Sequence, residues 1–242
     1  MRQFFKPILA LSISMAFFAC NNGTENKEAA SAMPADTTSV SNTSSTPAPG
    51  AFTPFDVAEI THSVKDYNKW RPVFNADSVN RKANGLEDIV VGRNMGDPNK
   101  ILIALKVTDT AKAMAFAADP KLKEAMDKAG VISKPEFSLY HVIRYNPDSK
   151  EKQWVLVTHK VKDFDTWLKG FDAEGTATRA TFGLVDVLLA RGLHDSNMVH
   201  MVFDITDMPK AKARMNDPAL KKIMTNAGVI SAPKIEFYDS AE

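Results

Sequence analysis

The 242-residue chain carries 30 Lys and Arg against 29 Asp and Glu, a net charge of +1, with 44% hydrophobic and 24% charged residues. Those proportions are ordinary for a globular protein and give no basic surface of the kind nucleic acid requires, so no nucleic-acid partner is expected. The only cysteine, Cys20, excludes an internal disulfide.

The chain opens with MRQFFK, a positive start, followed by PILALSISMAFFA, an apolar run of 13 residues. A spanning helix needs about 20 residues, so the run fits the apolar core of a secretory signal instead. It ends in FFAC, which resembles the lipobox of bacterial lipoproteins, although Phe17 stands where Leu is usual. The resemblance implies cleavage before Cys20 and a lipid on that residue; the alternative is a plain signal with an incidental cysteine. Residues 21–51 are rich in Ser, Thr, Asn, Ala and Pro and nearly free of large apolar side chains, the composition of a disordered tether. The expected plan is a signal peptide over 1–19, a lipidated cysteine and tether over 20–53, and folded repeats over 54–146 and 147–242. Its implied location is the bacterial cell envelope, on the outer-membrane or periplasmic side, with the membrane as partner through Cys20.

The folded part repeats itself. DPKLKEAMDKAGVIS at 119–133 returns as DPALKKIMTNAGVIS at 217–231, THSVKDYNKW returns as THKVKDFDTW, and GLEDIVVGRNMGDPN as GLVDVLLARGLHDSN. Pairing 57–84 with 154–181 and 85–140 with 183–238 needs one inserted residue and leaves more than a third of the positions identical. Each unit reads in the same order. An apolar strand comes first (VAEITHSV or WVLVTHKV), then a helix capped by Asp66 or Asp163, whose Tyr67, Trp70 and Phe74 (Phe164, Trp167 and Phe171) share one stripe. Gly85 or Gly183 ends that helix. Two strands follow (EDIVVGR with ILIALKV, VDVLLAR with VHMVFDI), joined by turn residues. Asp109 or Asp207 caps a second helix, Asp-Pro at 119–120 or 217–218 restarts it, Gly130 or Gly228 closes it, and a last strand completes the unit.

The β-α-β-β-α-β order is ferredoxin-like and predicts an α+β fold. Helices cover one face of such a sheet. The runs IVV, ILIAL, VLL and VFDI are apolar on both sides, so the second face also needs cover. Two repeats in one chain provide it by packing sheet against sheet. The phrases VKDFDTW, GLVDVLLAR and LKKIMTNAGVI resemble the dimeric α+β barrel superfamily, near the antibiotic biosynthesis monooxygenase-like domains, over 57–142 and 154–239. The resemblance implies an intrachain barrel. It also implies a range of activities, from cofactor-free oxygenases and haem-degrading enzymes to isomerases, and fold alone does not choose among them.

His62 and His159 hold equivalent places in the first strands, as pocket acid–base groups or as core histidines. Thr61 and Thr158 face the other way, and periodicity leaves open which face meets a cavity. Trp70 and Trp167 are either cavity walls or core, and Arg93 and Arg191 either grip an anion or pair with Asp97 and Asp195. Tyr140 and Tyr238 either donate a proton or pack. His141, His194 and His200 have no counterpart in the other repeat, and the sequence shows no zinc, phosphate-loop or nucleophile motif, so no metal or cofactor is expected. The reading that follows is a lipid-anchored protein holding a small, largely apolar organic molecule in a barrel pocket. The alternative is a cofactor-independent monooxygenase or isomerase acting on an aromatic or quinone-like compound, with His62 and His159 catalytic.

Overall fold

The computed structural model describes residues 52–241; the expected leader, Cys20 and nearly all of the tether lie outside the described residues. The first half runs β1 (Phe55–Ser63), α1 (Tyr67–Ala76), α2 (Ser78–Ala83), β2 (Leu86–Asn94), β3 (Lys100–Val107), α3 (Thr110–Ala117), α4 (Pro120–Lys128) and β4 (Glu136–Tyr145). The second runs β5 (Gln153–Lys160), α5 (Phe164–Glu174), α6 (Thr176–Thr181), β6 (Leu184–Gly192), β7 (Met198–Ile205), α7 (Met208–Met215), α8 (Pro218–Asn226) and β8 (Lys234–Ser240). This is the expected order twice over.

The aspartate caps work as their positions require. The Asp66 and Asp163 carboxylates accept the N–H groups of Asn68 and Thr166, and Asp109 and Asp207 accept those of Lys112 and Lys210. Asp119 and Asp217 do the same ahead of Pro120 and Pro218 at the starts of α4 and α8. The first helix of each half is not continuous: it breaks at Asp77, and at Gly175 with φ +77°. The extra residue of the second half belongs at this break. Arg81 and Arg179, just beyond it, are structural twins, each paired through two nitrogens to an aspartate seven residues on, Asp88 or Asp186. Each guanidinium also donates to the carbonyl of Phe74 or Phe171 and lies over that residue's ring, at 3.6 and 3.9 Å. Residues Gly85 and Gly183 (both φ +73°) then turn the chain so tightly that an added Cβ would meet Asp109 or Asp207 within 2.7–2.8 Å.

The eight strands close into one barrel in the order β1-β3-β2-β8-β5-β7-β6-β4. Two antiparallel seams join the halves. One pairs Gly92, Arg93 and Asn94 of β2 with Ser240, Asp239 and Tyr238 of β8; the other runs from Tyr140–Gly192 to Tyr145–Leu188 between β4 and β6. Bulges between Asp88 and Val90, Val142 and Arg144, and Asp186 and Leu188 bend the strands at these edges. The outward faces meet the helices in two cores, around Trp70, Ile101 and Ile103 in one half and Trp167, Val199 and Phe203 in the other. The inward faces bury Val57, Tyr140, Val142 and Ala190 on one side and Leu102, Trp154, Leu156 and Tyr238 on the other. A sheet apolar on both faces has found cover on both faces.

Candidate ligand-binding sites

Strand parity separates the candidate residues. Ala58, Ile60, His62 and Val64 face the helices; Val57, Glu59 and Thr61 face the barrel interior. His62 and His159 therefore sit in the two outer cores, each edge-on to a tryptophan at 5.6 Å, Trp70 or Trp167. The tryptophans stack in turn on Phe74 and Phe171. Neither ring nitrogen of either histidine has a hydrogen-bond partner or meets solvent, and burial lowers both imidazoles to about 4, so both are neutral at neutral pH.

Beside His62 lies a half-open cavity of about 1110 Å³ between the first half's sheet and its helices. Ile60, His62, Trp70, Phe74, Ile103, Leu105 and Phe116 form its inner wall, and α4 with Val131, Ile132 and Phe137 its outer part. Val73, Ile132 and Phe137 stand exposed at its edge. The corresponding region of the second half carries larger groups. Ile103, Leu105 and Ala117 are replaced there by Met201, Phe203 and Met215. Phe116 is replaced by Arg214, whose guanidinium reaches Glu174 at 2.6 Å and lies 4.3 Å over the Phe182 ring, tying α7 to the end of α5. In the first half Asp77 and Phe116 occupy those two places, and both line the cavity.

The remaining candidates lie elsewhere. Arg93 donates to the Pro98 carbonyl at 3.0 Å and covers the Tyr67 ring, and Arg191 covers Phe164. Asp97 and Asp195 instead accept the N–H groups of Asn99 and Asn197, and Asp195 also meets Lys160 at 2.7 Å. These arginines stack on the helices that bound the outer cores. Tyr140 and Tyr238 are inside the barrel, on His200 (ring centroids 4.0 Å) and Trp154 (4.6 Å) respectively. Burial pushes Tyr140 up to about 12 and Tyr238 higher still. His141 pairs with Asp56 at 2.7 Å. The eight candidates thus divide between the two outer cores with their bounding helices and the barrel interior.

The interior also holds a pair the repeat pattern gave no reason to pick. Glu59 on β1 places a carboxylate oxygen 3.3 Å from Nε2 of His200 on β7, and the Thr158 hydroxyl lies 3.3 Å from Nδ1. Burial raises Glu59 to about 7, with Lys234 opposing and Glu236 adding to the shift. Burial takes His200 to about 3. Burial thus disfavours the charged form of both partners of this contact. Two chambers, of about 550 and 450 Å³, flank it and share Glu59 and Tyr140 as walls. Their counterparts in the repeat are Leu156 for Glu59 and Leu102 for His200, so the signal lay in a departure from the repeat. Among the described residues no cluster of three or more His, Cys, Asp or Glu is arranged to hold a metal, and no helix is long and apolar enough to cross a membrane.

No family model matches the chain, and no curated protein does. Solved structures match it in shape. A candidate chlorite dismutase superposes with TM-score 0.53 at 12% identity, over 78% of this chain and 96% of that one. An anthrone oxidase-like protein gives 0.51 at 12%, over 78% and 92%. A haem-binding protein from Thermus thermophilus gives 0.50 at 9%, over 78% and 92%. With the closed eight-stranded barrel, these establish the class: the fold is the dimeric α+β barrel, here with both halves supplied by one polypeptide.

Proposed function

We propose that the protein is a binding module of the bacterial cell envelope, tethered by a lipid on Cys20, which takes a planar, largely apolar organic molecule into the helix–sheet cavity of its first half. On this reading 1–19 is a leader, 20–53 a tether, and 54–146 and 147–242 are duplicated halves of which one has kept an open pocket and the other has become a packed support. The supporting observation is a cavity of about 1110 Å³ in the first half, walled by Trp70, Phe74 and Phe116, at positions where the second half carries Phe203, Met215 and the Arg214–Glu174 pair. An apolar pocket of this size, with a few charged groups such as Asp119, Lys123 and Lys134 near the opening, is the usual form of a small-molecule site.

The second reading, a cofactor-independent monooxygenase or isomerase for an aromatic or quinone-like compound, is supported by the His62–Trp70 pair on the cavity wall and by relatives in shape such as the anthrone oxidase-like protein. Binding stands ahead of it on chemical grounds. A base held at about 4 takes a proton poorly at neutral pH, and the His62 nitrogens are closed off from the cavity. The same closure leaves no His62 nitrogen free to ligate a haem iron in this cavity.

The test uses menadione, a planar quinone that quenches indole fluorescence, on a W154F/W167F chain whose only tryptophan is Trp70. Saturable quenching at one molecule per chain is expected; quenching that rises linearly without saturation contradicts the reading. For the anchor, labelling with radioactive palmitate should disappear in C20A, and labelling that survives the substitution removes Cys20 from that role.

A further inference from the structure

The chamber of about 550 Å³ inside the barrel has a chemistry unlike the outer cavity. Val57, Leu102, Ala104, Val142 and Val202 give it an apolar wall. Two aromatic rings add to it. Tyr140 lies flat on His200, and Trp154 lies across Gly92, where a Cβ would come within 2.4 Å of the indole. The indole N–H of Trp154 is buried with no partner. At its inner end the chamber reaches Glu59 and His200; its mouth is formed by the connection between the halves, with Ser149, Lys150, Glu151 and Lys152.

Charge decides what fits. The groups facing Glu59 are His200 from β7, Tyr140 from β4, and Lys234, Glu236 and Tyr238 from β8. His200 is kept neutral. Lys234 is held by Glu236 at 3.1 Å, and Glu236 also takes Lys100. The inner end of the chamber therefore presents a carboxyl whose contact, His200, is disfavoured as a cation by burial; the Tyr140 ring stands beside it and the Trp154 ring lines the same chamber, aromatic groups of the sort that attract cations. An anionic ligand would meet that carboxyl as a like charge in a low-dielectric site, whereas a cation would complete it.

We propose that this chamber is a second binding site, for a small organic cation: a protonated amine on an apolar or aromatic body, its ammonium on Glu59 and its body against Tyr140 and Trp154. Binding then requires the Glu59 carboxylate, so affinity rises with pH across neutrality. For a group titrating at about 7, the ionised fraction grows roughly tenfold between pH 6 and pH 8.

The experiment is calorimetric titration of the full chain with benzylamine, benzyl alcohol and benzoate at pH 6 and pH 8. Benzylamine should bind, roughly tenfold more tightly at pH 8, with the alcohol and the carboxylate at least tenfold weaker than it. Glu59→Gln should remove the pH dependence and weaken benzylamine by tenfold or more at pH 8. Ala104→Leu, which narrows the chamber directly across the strand pair from Glu59, should also weaken it. Filling the outer cavity with L105F/A117M should leave benzylamine binding unchanged. Absence of benzylamine binding at pH 8, equal binding of the alcohol, retention of affinity in both E59Q and A104L, or loss of it in L105F/A117M would each overturn the assignment.

Discussion

His62 and His159 were found by repetition, and repetition explains their shared environment better than it explains a function. Each is a buried, neutral imidazole with both nitrogens unpartnered. Which wall they face was not legible, because the residues alternating with them on β1 and β5 are apolar on both faces. Glu59 was illegible for the opposite reason, and His200 was visible only as a histidine without a counterpart: each stands where the other half has leucine, so a search for shared residues passes over them. The histidines make a prediction about pH. Their folded value of about 4 lies below the unfolded value of 6.5, so the unfolded chain binds protons first. Stability is complete above about pH 6.5 and is lost as pH falls towards 4, by about 3 kcal/mol per histidine. Urea unfolding of H62F/H159F should show a much shallower loss over that interval, and an equally steep loss would refute the assignment. An orphaned buried donor costs about 1–3 kcal/mol, so the same variant should be no less stable than the parent at pH 7.

At the scale of elements, the legible features were those with strictly local chemistry. Six aspartate caps, two Asp-Pro helix starts and the closing glycines could be read because a cap or a positive φ is a requirement of a few adjacent residues. The break in each first helix was not legible, because it depends on Arg81 or Arg179 reaching across to an aspartate on the next strand. Pairing 57–84 with 154–181 sets Arg81 against Thr178, and only the fold returns it to Arg179. Gly183 joins that corner to the cap of α7. Gly183→Ala should destabilise the chain by more than about 2 kcal/mol through positive φ and contact with Asp207, read as a lower urea midpoint at an unchanged slope. A neutral substitution would mean that the corner is slack.

For the whole molecule, closure was legible and the placement of space was not. Strands apolar on both faces demanded a second layer, and the other half supplies it. Because the interior faces of Leu102, Tyr140 and Val142 are covered across the seams, a fragment of residues 54–146 should self-associate, and light scattering should return a dimer or larger species. A stable monomer would mean that the seams matter little. Barrel closure did not reveal where the larger cavity lies: it sits outside the barrel, beneath the helices of one half, because Leu105 and Ala117 are small where Phe203 and Met215 are large.

The most direct test of the account is therefore to give the first half the packing of the second. The L105F/A117M chain should fold at least as stably as the parent, since the new groups enter existing space, and should lose saturable binding of menadione measured by calorimetry. Undiminished binding of one menadione per chain in that variant would contradict the assignment of the cavity.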